Sequence, residues 1–69
     1  MKAAIIVYVQ AQHDNPEQEH SPTEAQITDA VEGKTVYKRT GLRALVEEGQ
    51  LVREGEGGRR DPFRYRPPP

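Results

Sequence analysis

The chain has 69 residues, 33% of them apolar and 30% charged, with a net charge of −1; this length allows one small domain that buries about 60% of the surface its unfolded chain exposes. The absence of cysteine excludes disulfides, zinc fingers and thiol chemistry and agrees with a reducing, cytoplasmic setting, and two histidines are too few for a four-ligand metal site. The longest apolar run, Ala3 to Val9, is too short to span a bilayer and lacks the cleavage pattern of a signal peptide, so the expected class is a soluble binding module with no cofactor and no membrane partner.

The first predicted element, Lys2 to Gln12, carries the run Ile5-Ile6-Val7-Tyr8-Val9, which by propensity favours a strand. As a helix it would hold Ile5, Tyr8, Val9 and Gln12 on one side, with Ile6 and Val7 beside them. Helix is the reading chosen, because the elements downstream need an apolar first helix to close a three-helix core. From His13 to His20 the chain is polar, has a turn signal at Asp14-Asn15-Pro16 and reads as a loop. His13, Asp14, Glu17, Glu19 and His20 cluster there, but such a loop offers no apolar wall to shift a pKa or exclude water, so no enzyme activity is expected.

Ser21-Pro22-Thr23-Glu24 supplies a capping hydroxyl, a proline for the first helical position and a glutamate at the third, so a second helix is predicted from Pro22. Ile27, Ala30 and Val31 form its expected buried stripe, and Gly33 closes it. A third helix is predicted from about Thr35 to Glu48, ending at Gly49, with Leu42, Leu45 and Val46 facing inward. At 100° per residue, Tyr37, Thr40, Arg43 and Ala44 turn away from that face. Gly41 costs about 1 kcal/mol of helix propensity relative to alanine, which suggests a close approach by another element. Lys38 falls on the apolar side, so either its stem snorkels past Leu42 or the helix begins later than Thr35.

After Gly49 the period changes to two. Leu51-Val52-Arg53-Glu54 is a short strand, Gly55-Glu56-Gly57-Gly58 a flexible tip bearing Arg59 and Arg60, and Phe63-Arg64-Tyr65-Arg66 a half-buried returning strand. Pro67-Pro68-Pro69 cannot donate to a sheet, which leaves a domain over residues 1–66 and a disordered proline tail over 67–69. The expected fold is therefore α+β, a winged helix-turn-helix of three helices followed by a two-stranded β-hairpin wing.

Cut at Gly33, the near-neutral chain separates into an acidic half with a net charge of −5 and a basic half, residues 34–69, with a net charge of +4. Such asymmetry marks a polyanion-binding face or, in the blander case, salt bridges between the halves. A helix fits the major groove of duplex DNA, and the outward face of the third helix offers Tyr37, Thr40 and Arg43, with Lys34 and Thr35 at its start. Lys34 and Lys38 suit phosphates, Arg43 suits a bidentate grip on guanine, and Arg59, Arg60 and Arg64 of the wing suit the backbone or the minor groove. The candidate DNA-binding residues are thus Lys34, Thr35, Tyr37, Lys38, Thr40, Arg43, Arg59, Arg60 and Arg64; no catalytic or metal residue is proposed.

Ser21 to Arg66 resembles bacterial winged helix domains, above all those at the C-terminus of plasmid- and phage-type replicative proteins with helicase-like ATPase or primase domains. Three blocks carry the likeness: Ile27-Thr28-Asp29-Ala30-Val31-Glu32-Gly33-Lys34, the stretch Leu42 to Arg53, and Gly57-Gly58-Arg59-Arg60-Asp61-Pro62-Phe63-Arg64-Tyr65-Arg66. The middle block specifies the fold more than the function, whereas the last tilts the reading toward replication and mobile elements. The resemblance implies a double-stranded DNA-binding appendage to a catalytic ATPase or primase body. The alternative is a winged helix used for protein contact, with a homodimer through the first helix as its simplest form.

Overall fold

The computed structural model describes residues 2–69 and contains three helices and one hairpin: α1 (Lys2–Asp14), α2 (Glu24–Ala30), α3 (Thr35–Glu47), β1 (Val52–Glu54) and β2 (Arg64–Arg66). The strands pair antiparallel, with Val52 opposite Arg66, Arg53 opposite Tyr65 and Glu54 opposite Arg64. This is the expected α+β layout of a winged helix-turn-helix, with α2 and α3 as the helical pair and the hairpin as the wing. Among the described residues, no helix is long and apolar enough to cross a membrane.

The apolar side of α1 explains why a strand-prone sequence is helical. Ile5 and Val9, one turn apart, are fully buried and join Ile27, Val31, Leu42, Leu45, Leu51 and Tyr65 in one core, while Ile6 and Tyr8 pack against its edge. Tertiary burial of that face outweighs the β-preference of the run. Gly41 of α3 lies against this helix, since a Cβ at Gly41 would stand 3.4 Å from Ile5 Cδ1 and 3.9 Å from Lys2 Cγ. Helix α1 also continues to Asp14, so the loop starts two residues later than the sequence suggests.

Helix α2 begins later than Pro22. Its N-cap is Thr23, whose hydroxyl accepts from the Gln26 amide at 3.2 Å while Gln26 Oε1 accepts from the Thr23 amide at 2.9 Å. Two capping signals overlap in this stretch, and the later one prevails because residues 21–23 are drawn into the wing sheet. Thr23 forms a β-bridge with Arg64, and the Pro22 carbonyl accepts from the Tyr65 amide at 3.0 Å. The helix ends at Ala30 rather than at Gly33. Val31 turns to extended backbone and drops into the core, leaving Ala30 exposed instead of in the expected stripe.

Lys38 resolves its own anomaly. It is 7% exposed, and its ammonium donates to the carbonyls of Thr28 and Val31, the latter at 3.0 Å. A cation thus sits at the negative end of α2 and satisfies carbonyls that the terminated helix leaves without partners. Helix α3 in turn stops in a Schellman motif. Gly49, at φ +77°, donates to Val46 O at 3.1 Å, and Gln50 donates to Leu45 O at 2.9 Å, which turns the chain into Leu51 and the wing.

Candidate nucleic-acid interface

Thr35, Val36, Tyr37, Arg39, Thr40 and Arg43 are exposed along α3. Val36 and Tyr37 are 63% and 60% exposed, an unusual outlay of large apolar surface near the start of a helix. The Thr40 hydroxyl donates back to the Val36 carbonyl at 2.9 Å, which leaves its oxygen free to accept. Lys34 is the N-cap of α3, and its side chain makes no capping bond.

The wing tip is more ordered than its glycine content suggests. The Gly57 amide donates to the Asp61 carbonyl at 2.9 Å, and the Glu56 amide donates to the Asp61 carboxylate at 3.2 Å. Gly57 has φ +85°, and a Cβ there would lie 2.6 Å from the Phe63 ring, so only glycine lets that ring rest on the turn. Gly58, Arg59 and Arg60 form the exposed crown of the loop so closed.

Two of the nine candidate residues leave the interface. Lys38 is engaged inside, as described. Arg64 is half-buried, and its Nη1 donates to the Ser21 carbonyl at 2.7 Å, which ties β2 to the segment before α2. Strand alternation places Arg64 opposite the Phe63 and Tyr65 side, and on that side the chain ahead of α2 covers it.

Two cations outside the nine candidates take their place. Arg39, Arg43 and Arg53 line one hollow of about 110 Å³ between α3 and the wing, together with Glu24, Phe63 and Tyr65. Arg53 stacks over the Phe63 ring, 4.3 Å from its centroid, which fixes a long side chain at little further entropic cost. Arg39 pairs with Glu24 at 3.3 Å. The Tyr65 phenol is held above its ordinary pKa of 10.0, first by burial and next by the Glu24 charge, with Arg53 and Arg43 opposing. The signals for the missed pair were present: Arg39 and Arg43 are spaced i, i+4, and Arg53 lies directly opposite an aromatic in a short hairpin.

Ion pairing divides the cations further. Lys2–Glu48, at 2.9 Å, and Arg39–Glu24 join the two halves, and Arg66–Glu54 lies within the wing. Among the described residues, Lys34, Arg43, Arg53, Arg59 and Arg60 make no ion pair, and no group of three or more His, Asp or Glu side chains is arranged to hold a metal ion. No family model, curated protein or solved structure matches the chain.

Proposed function

We propose that this chain is a double-stranded DNA-binding module, with α3 entering the major groove and the wing tip reaching the backbone or minor groove. The observation that carries the reading is the pairing of an outward α3 face, free of any packed element, with an arginine-crowned wing. Five cations on these elements have no acidic partner among the described residues. Tyr37 and Thr40 supply base-edge chemistry, and Lys34, Arg43, Arg53, Arg59 and Arg60 supply phosphate contacts. The resemblance to replicative proteins adds plasmid or phage replication in the cytoplasm as the setting, with an ATPase or primase body as partner.

Fluorescence anisotropy with labelled duplex tests this directly. Five phosphate contacts correspond to a log–log salt slope of about −4.5, a loss of affinity of about 500-fold between about 50 and 200 mM salt. Weak binding that ignores salt would refute it.

The second reading is protein contact, favoured by the outer side of α1. Val7 is 67% exposed, and no charged side chain occurs between Ala3 and Gln12. A homodimer joined by α1 predicts twice the monomer mass in solution, returning to the monomer in Val7→Glu.

A further inference from the structure

Arg39 and Arg43, one turn apart on α3, and Arg53, on β1, line a single small hollow. One carboxylate, Glu24, shares it, and Glu24 holds Arg39 at 3.3 Å. The lining therefore carries three positive charges against one negative. At about 110 Å³ the hollow exceeds several times the roughly 30 Å³ that a water molecule occupies in the liquid, which is ample for a tetrahedral oxyanion. Arginine forks match such oxygens in pairs, and Arg53 is already oriented by the Phe63 ring beneath it. Structural economy does not account for the arrangement: like charges gathered at one place oppose folding, and a single Glu24 leaves two of them uncompensated.

We propose that the crease between α3 and the wing is a phosphate-binding site in which Arg39, Arg43 and Arg53 converge on one phosphate group, with Glu24 as a built-in competitor for Arg39. The phosphate comes either from the DNA backbone, in which case the proposal rests on the DNA-binding reading above, or from free phosphate in solution. When it arrives, Arg39 exchanges the Glu24 carboxylate for a phosphate oxygen. Glu24 is thereby released to water at the mouth of the hollow. The site thus has a threshold, because the incoming oxyanion must outcompete a carboxylate already in place.

The test uses the full chain and its variants Arg53→Gln, Arg53→Lys and Glu24→Gln, each first checked for an unchanged far-UV CD spectrum. In the duplex arm, Arg53→Gln is expected to weaken binding about 10-fold and flatten the salt slope by about one. Arg53→Lys, which keeps the charge and loses the fork, should recover part of that loss. Glu24→Gln should tighten binding about 5-fold, a gain that a merely structural ion pair would not give. In the second arm, inorganic phosphate is added to about 10 mM at an ionic strength fixed with sodium chloride, and arginine side-chain NMR signals are followed. Shifts confined to Arg39, Arg43 and Arg53, absent in Arg53→Gln, support the site with free phosphate as its source. If the wild type binds no duplex while phosphate titrates the crease, the DNA reading fails and the site stands. If duplex binds, is indifferent to both Arg53→Gln and Glu24→Gln, and phosphate moves no arginine signal, the site is refuted and the DNA reading stands.

Discussion

Replacing Lys38 with methionine separates a structural cation from a DNA-contacting one. The ammonium is buried and donates to two carbonyls, Thr28 and Val31, at the C-terminal end of α2. A hydrogen bond to a charged group contributes about 1.5–3 kcal/mol, and the helix dipole adds up to about 1 kcal/mol for a cation placed there. Against this, methionine fills the slot without requiring a charge to be desolvated, which returns part of the loss. The net expectation is a destabilisation of about 2–4 kcal/mol. A domain of this size is stable by only about 3–10 kcal/mol, so the substitution removes a large share of it. Thermal denaturation by CD should show Tm lowered by roughly 8–32 °C, at about 4–8 °C per kcal/mol. At low temperature, where the variant is still folded, its salt slope with duplex should equal that of the wild type. An unchanged Tm together with a slope reduced by one would overturn the assignment and return Lys38 to the phosphate contacts.

Removing both crown arginines in Arg59→Ala/Arg60→Ala should weaken binding to all duplexes alike and flatten the salt slope by about two, so that a fourfold rise in salt costs about 40-fold rather than about 500-fold. Gly41→Ala should be neutral or raise stability by up to about 1 kcal/mol, because its Cβ meets Ile5 at ordinary contact distance and the helix gains propensity. Gly41→Leu should instead lever α1 off α3 and lower Tm; equal effects of the two would contradict the packing described. Tyr65 predicts a specific alkaline behaviour. Its folded pKa lies above the ordinary 10.0, so the protonated phenol favours the native state, and the contribution, complete below pH 10, is lost as pH rises through the folded value. Urea titrations on either side of pH 10 should show this loss in the wild type and its absence in Tyr65→Phe.

The sequence made the order of elements legible because each boundary from Ser21 onward has local chemistry: a hydroxyl cap, a glycine reversal, a change of period. It was less informative wherever a distant residue decides. Thr23 prevails over Ser21 as the cap because β2, some forty positions away, pairs with residues 22 and 23. The early end of α2 depends on an ammonium supplied by the next helix, so counting apolar positions misplaced Ala30, and the inward angle of Lys38 did not reveal the carbonyls it serves. On the interface, the angular count along α3 correctly separated the exposed Tyr37, Thr40 and Arg43 from Leu42 and Leu45. Arg53 escaped notice because its position depends on how the wing folds back toward α3, and helical periodicity carries no information about that.

The bridge between Thr23 and Arg64 also constrains how the molecule is made. The start of α2 is completed by a strand near the far end of the chain, and Tyr65 of that strand closes a core that opens with Ile5. A nascent polypeptide can wind its separate helices on the ribosome, yet their common interior stays unsealed until Tyr65 has cleared the exit tunnel. Folding of the core therefore waits for β2, and a product stopped at Glu54 would leave the carbonyls of Ser21 and Pro22 without the donors they have in the native state.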